Sequence, residues 1–194
     1  MASLREGAHE KGRKGVFDSK RWLESTTHIE LGFDSYYYTA LCTLERLDGE
    51  IKTYDLFGKI LSTKEPLYVE VKDYGGPGGK QPDEFWEFLA NAYSVSAKME
   101  AKGIGDPKAN FMWVTTHPFE QTKWVELATR ERLKTAVTEK HPEVLNGLDI
   151  DEDLLTRVAG RLWVLVVNAR QHQLNLTQVE LDKVHSVLGR RGTE

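Results

Sequence analysis

The stretch YYYTALCTLERLDGEIKTYDLFGKI, residues 36–60, constrains the fold more than any other part of the chain. Two β-rich runs, Tyr36 to Arg46 and Ile51 to Ile60, flank Asp48-Gly49, the dipeptide that supplies the positive φ angles of a tight hairpin. STKEP then breaks the chain, and Leu67 to Asp73 reads as a third strand, so residues 36–73 are expected to form an antiparallel meander.

Other segments surround that meander in a regular order. Val16, Phe17, Lys20, Trp22 and Leu23 place one short apolar face on a helix over 16–26. After a Gly/Pro loop, YGGPGGKQP, a helix is expected from Pro82 or Asp83 to about Ala101, with proline and acids in its first turn and Gly103 near its end. Its apolar stripe is Phe85, Phe88, Leu89 and Ala92, leaving Trp86 off the stripe and exposed. ANFMWVTT, residues 109–116, reads as a fourth strand, and residues 117–137 as mostly helix. A short helix at 151–159, an apolar strand at 162–168 and a last helix opened by Thr177 complete the chain. The expectation is α/β: one domain with a mixed central sheet flanked by helices, its core in 16–116 and its C-terminal helices and strand in 117–194. Residues 1–15, with Arg5, Lys11, Arg13 and Lys14, read as a flexible basic arm.

Bulk properties narrow the function classes. A chain of 194 residues with 40% hydrophobic and 29% charged residues has the size of one globular domain. The longest apolar run, Leu162 to Val167, is far short of the roughly 20 residues a membrane-spanning helix needs. The N-terminal stretch lacks the apolar middle of a secretory signal and Cys42 is the only cysteine, so the cytoplasm is the expected location. One cysteine excludes a zinc knuckle, and no Gly-x-Ser-x-Gly elbow or Gly-Lys-Ser/Thr loop is present. The formal charge of −4 leaves any nucleic-acid binding to a local patch.

Within the third strand, LYVEVKDY places two charges where burial is expected. Glu70 and Lys72 point to one face, about 6.6 Å apart along the strand, while Val69 and Val71 point to the other. An unpaired charge in a central strand costs several kcal/mol, roughly, so the pair asks for a partner, a metal or a function. Acidic-x-Lys also occurs at Asp18, Glu50, Glu100 and Asp106, but Glu70 alone follows a hydrophobic strand that pairs in sequence with a strand carrying another acid, Asp55. A rival set is Asp34 with Glu50 and Lys52, although Glu50 falls in the hairpin turn. The plain structural alternative is a solvated face of an antiparallel sheet.

Asp55, then Glu70-Val71-Lys72, in a helix-meander-helix-strand order over residues 16–116, resembles the PD-(D/E)xK nuclease superfamily, the restriction-endonuclease-like fold. TYDLFGKI and LYVEVKDY look like its two core strands, with Tyr54 where the family often has proline. The resemblance implies that Asp55 and Glu70 bind magnesium and that Lys72 orients or activates the attacking water. Magnesium prefers hard oxygens and keeps several waters, so Asp55, Glu70 and the Val71 carbonyl would make a sparse, open site.

The resemblance also makes Asp18, in the first helix, a candidate third ligand, with Glu24 and Glu30 as fallbacks. Gln81 is a candidate contact to the water or phosphate, and His117 stands just after the fourth strand. Lys59, Lys64 and Lys80 are the candidate nucleic-acid contacts, each singly an ordinary solvated lysine. The expected function is a metal-dependent nuclease, DNA favoured, acting in defence or repair. A homodimer would supply the two sites needed to cut a duplex, and a chain this short would need a partner protein for targeting. The alternative is a non-catalytic interaction module that keeps the fold and acts with a partner protein.

Overall fold

The computed structural model describes residues 2–73 and 79–190. Its centre is a mixed five-stranded sheet whose antiparallel half is built from Ile29–Asp34, Leu56–Ile60 and Pro66–Lys72, not the meander over 36–73 expected around the Asp48-Gly49 turn. Helix α1 (Ala2–Thr26) leads into strand β1 (Ile29–Asp34), and β2 (Thr43–Glu45), β3 (Ile51–Thr53), β4 (Leu56–Ile60) and β5 (Pro66–Lys72) follow. Helix α2 (Gln81–Met99) returns the chain to β6 (Asn110–Thr115). Then come α3 (Arg130–Thr135), α4 (Glu152–Ala159), β7 (Leu162–Val166), α5 (Ala169–His172) and α6 (Gln178–Val187). The sheet order is β1-β4-β5-β6-β7, antiparallel from β1 to β5 and parallel from β5 to β7.

The expected strand at Tyr36 to Arg46 is corrected by the structure. The first strand of the sheet is β1, whose apolar positions Ile29, Leu31 and Phe33 alternate over only six residues and are interrupted by Gly32. At its end the Asp34 carboxylate accepts the N–H groups of Tyr36 and Tyr37, each at 3.1 Å, and turns the chain out of the sheet. That local bonding overrides the β preference of three tyrosines, and a 3-10 turn over Thr39–Cys42 follows. The Asp48-Gly49 hairpin is present, with Gly49 at φ 88°, but β2 and β3 form a two-stranded ribbon of their own. A bend at Asp55 divides the expected strand 51–60 into β3 and β4.

Residues 1–15, expected as a flexible arm, are helical from Ala2 and continue into the expected helix over 16–26. The 117–137 stretch is broken into a 3-10 turn at Gln121–Glu126, α3, and a π-type turn at Ala136–Lys140. Of the Gly/Pro loop, residues 74–78 lie outside the described residues.

Two cores sandwich the sheet. On one face Tyr68, Phe111 and Trp113 pack under α2 through Phe85, Phe88 and Leu89. On the other, Leu67, Val69, Met112 and Val114 pack under α1 through Val16 and Leu23. Strands buried on both faces read as continuous apolar runs, and β6 is buried at all six positions. Trp86, expected to be exposed, is half-buried, with the Arg132 guanidinium 3.7 Å from its ring centroid.

Helix α4 closes the α2 layer with Leu154, Leu155 and Val158. The Asp151 carboxylate starts it by accepting the N–H groups of Asp153 and Leu154, both at 2.9 Å. Asp151→Ala is expected to cost about 1 kcal/mol and to lower the melting temperature by about 2–4 °C, while Asp151→Ser retains most of both. Equal melting of all three proteins would remove the cap from the account of this helix.

Candidate active site

The Glu70-Val71-Lys72 stretch ends β5, where that strand passes from its antiparallel neighbour β4 to its parallel neighbour β6. Alternation sends Glu70 and Lys72 to the α2 face with Tyr68, and Val69 and Val71 to the α1 face. Leu56 faces Val69 across the β4–β5 ladder, so Asp55, in the bend just before β4, comes level with Glu70 at the end of β5. The Asp55 Oδ2 accepts the Val71 N–H at 2.7 Å, which fixes this acid against the backbone between Glu70 and Lys72. The two acids and the lysine singled out in the sequence therefore converge.

Glu70 is 7% exposed, and a carboxylate so deep requires compensation. Lys72 Nζ lies 3.1 Å from Glu70 Oε1, and Lys52 Nζ lies 2.8 Å from Oε2. The Lys52 approach lacks hydrogen-bond geometry, so Oε2 is a buried acceptor held by charge alone. Lys72 reaches on to Glu84 at 3.1 Å, and its ammonium sits 5.6 Å from the Trp113 ring centroid. Glu84 is in the first turn of α2, so helix and strand are joined through Lys72.

Protonation follows from this arrangement. Burial, and then the negative charge of Glu70, push the Asp55 carboxyl up to about 6 despite the Val71 N–H and the two lysines. Burial works against the Lys72 ammonium, but Glu70 and Glu84 outweigh it and hold its pKa above the ordinary lysine value. At neutral pH, Lys72 is a hydrogen-bond donor and a positive charge. It is not a proton acceptor.

Hard oxygen donors on two adjacent carboxylates, one of them destabilised by the other, fit a divalent cation such as magnesium, with the Val71 carbonyl as a third oxygen and water completing the shell. The set is sparse: among the described residues no group of three or more His, Cys, Asp or Glu side chains is arranged to hold a metal.

Most of the remaining sequence candidates separate from this centre, and Lys80 and Gln81 border it at the start of α2. Asp18 is on α1, across the sheet, where it pairs with Lys14 at 2.7 Å and Arg21 at 3.1 Å. Glu24 accepts the Leu31 N–H at 3.0 Å, and Glu30 is 3.5 Å from Lys59, so both fallback acids serve β1 and β4. Lys59 and Lys64 line a cleft with His28 and Arg190 at the opposite end of the sheet, because Lys59 is paired with Pro66, the first residue of β5. Lys80 lies on the α2 side in a groove with Glu84 and Trp86.

Gln81, expected to be free for water or phosphate, is buried, and its Nε2 donates to Thr115 Oγ1 at 2.8 Å and to the His117 carbonyl at 3.2 Å. It fastens the start of α2 to the end of β6, beside the residue paired with Lys72. His117 contributes that carbonyl, and its residue lines a cleft with Asp18 and Asp73.

Two site residues escaped the sequence reading. Lys52 was attached to the rival set with Glu50, and the structure gives it instead to Glu70. Glu84 carried only the signal of an acid in a helix's first turn, which says nothing of Lys72. Asp34 of the rival set is engaged in the tyrosine turn, and Glu50 is exposed in the hairpin.

Comparison with known families, characterised proteins and solved structures gives no significant match to this chain.

Proposed function

We propose that this chain is a magnesium-dependent nuclease of the restriction-endonuclease-like type, hydrolysing phosphodiester bonds with DNA as the favoured substrate. The observation that carries the reading is the fixing of Asp55 beside Glu70, through the 2.7 Å bond to the Val71 N–H, with Lys72 on the Glu70 carboxylate. A sheet face of merely solvated charges has no reason to bring two acids together and to push one of them up to about 6.

Asp55, Glu70 and the Val71 carbonyl would hold the ion. When bound, it supplies Lewis-acid polarisation of the phosphate and positive charge against the charge that develops there. Lys72, kept protonated by Glu70 and Glu84, donates N–H bonds that orient the attacking water and the phosphate oxygen. Glu84 and Trp113 hold the lysine's direction, and Gln81 holds the helix that carries Glu84. Cutting both strands of a duplex would recruit a second copy, a partner protein would serve targeting, and defence or repair is the setting such an activity fits.

The test is cleavage of a labelled panel of DNA and RNA in magnesium, manganese and EDTA, by wild type beside Lys72→Met, which removes the ammonium and keeps an unbranched side chain. Cutting should require the metal and fall at least about a hundredfold in the variant, in keeping with the loss of an electrostatic group from an active site. Cutting that persists in EDTA, or in the variant, rejects this site as the source. A well-folded wild type that cuts nothing favours the non-catalytic module.

A further inference from the structure

Three consecutive tyrosines leave β1 into solvent beside the candidate site. Tyr36, Tyr37 and Tyr38 are 40, 63 and 50% exposed, an unusual outlay of aromatic surface for a turn. The turn is nevertheless well fixed. Asp34 Oδ1 accepts the Tyr36 and Tyr37 N–H groups, and the Tyr38 N–H reaches the Asp34 carbonyl at 2.8 Å. Ser35 N–H donates at 2.9 Å to the carbonyl of Asp55, the acid of the candidate site. Beneath the turn, Tyr38 meets Phe33 edge-on at 5.3 Å, and Phe33 stacks on Phe57, which stacks on buried Tyr68.

A cation is held on this surface. The exposed Arg13 guanidinium of α1 lies 5.3 Å from the Tyr37 ring centroid, 5.9 Å from that of Tyr36 and 5.6 Å from that of Phe17, and it hydrogen-bonds the Tyr37 hydroxyl. The Tyr36 phenol is pushed up by burial first and by the Asp55 charge second, which places it within electrostatic reach of the acid.

We propose that Tyr36 and Tyr37, with Arg13, form a stacking platform, anchored through Tyr38, that takes unpaired bases of a single-stranded nucleic acid and leads its backbone to Asp55 and Lys72. The proposal rests on the nuclease reading for the fate of the strand, and it specifies that reading's substrate class. Aromatic faces accept any base, but only a base released from its pair offers its own face, so a platform of this kind selects single strands, frayed ends or loops. Charge from the rest of the chain adds little for any nucleic acid, since it is −4 overall and Lys59 and Lys64 are at the far end of the sheet, so the preference for single strands rests on the rings and Arg13. A prefixed turn also lowers the ordering cost of binding.

The test is fluorescence anisotropy of a labelled oligothymidine, alone and annealed to oligoadenine, in EDTA so that no metal-dependent cutting intervenes. Wild type should bind the single strand at least about tenfold more tightly than the duplex. Tyr37→Ala should lose roughly tenfold on the single strand, the scale of one stacked base, while Tyr37→Phe stays within about twofold. Arg13→Gln, a second variant on a different element, should flatten the salt dependence by about one phosphate contact. Equal affinity for duplex and single strand, or no loss in Tyr37→Ala, overturns the platform.

The two readings fail separately. Ring-dependent binding without any metal-dependent cutting rejects the nuclease and keeps the platform. Lys72-dependent cutting of single strands that Tyr37→Ala leaves unchanged does the reverse.

Discussion

Asp55→Asn should melt higher than wild type in EDTA at pH 8 and cut nucleic acid at least about a hundredfold more slowly in magnesium. Its folded carboxyl, pushed up to about 6 by burial and then by Glu70, lies above the roughly 3.9 of an unfolded aspartate. A raised folded pKa means that the fold prefers the protonated acid. The favourable contribution is complete below about pH 4, fades between about pH 4 and 6, and is gone above. At pH 8 the wild type carries the repulsion in full, on the order of 1–2 kcal/mol after allowance for partial solvent screening. Asparagine removes the charge and keeps an oxygen for the Val71 N–H.

The gain should therefore be a rise of about 2–8 °C at pH 8, shrinking towards zero near pH 4. Magnesium should raise the wild-type melting temperature more than that of the variant, because the ion binds the folded acid pair. A variant that melts lower than wild type at pH 8 would mean that Asp55 is a stabilising structural acid, and the strained-pair account would be lost.

Such a trade, stability held back at a site that needs charge, is what a functional reading of Glu70 requires. Lys52, Lys72 and Glu84 form a network around that carboxylate, and each of them is fixed by a different element: β3, β5 and α2. Removing any one of these charges leaves its buried partner less compensated, so the network is costly to alter at any one member.

The difference between the legible and illegible parts of the chain follows range. Asp48-Gly49 was legible because a tight turn is decided by its own two residues. The Glu70/Lys72 face was legible because strand alternation is a period-two property. Asp55 was found only by assuming that two strands adjacent in sequence also pair, which β4 and β5 do. Lys52 was misassigned because β3 contributes to the site across the bend at Asp55, and nothing in its neighbours records that bend.

Strand polarity separates the lysines at the end of β4 from the acid just before its start. Lys59 and Lys64 are near Asp55 in sequence, but β4 carries them to the opposite end of the sheet. β1 escaped for a different reason. Its six residues include Gly32 and two acids, a composition that reads as loop until the ladder to β4 is seen. The tyrosines drew the strand assignment to themselves, although Asp34 had already turned them outward.

That same edge of the sheet should be the most sensitive to a single methyl group. Glu30 pairs with Lys59 and Phe33 with Phe57, so Leu31 and Gly32 together face Gly58: a β-bulge with two residues against one. The bulge brings backbone so close that a Cβ on Gly58 would stand 1.9 Å from the Glu30 carbonyl oxygen and 2.7 Å from Leu31 Cα. Neither is a flexible side chain that can swing aside. The Glu24 carboxylate, 2% exposed, fixes the bulged Leu31 N–H from the other layer, so β1 has little freedom to retreat. Gly58→Ala should cost about 3 kcal/mol, the upper part of the overpacking range, and lower the melting temperature by about 6–12 °C. Gly32→Ala is the matched control: it adds the same methyl to the same bulge, where nothing lies within 4 Å, and should melt within about 2 °C of wild type. Because β1 ends at Asp34, which ties the tyrosine turn, Gly58→Ala should also weaken single-strand binding while the distant α4 cap is untouched. Equal melting of the two glycine variants would show that β1 and β4 are not held at this register.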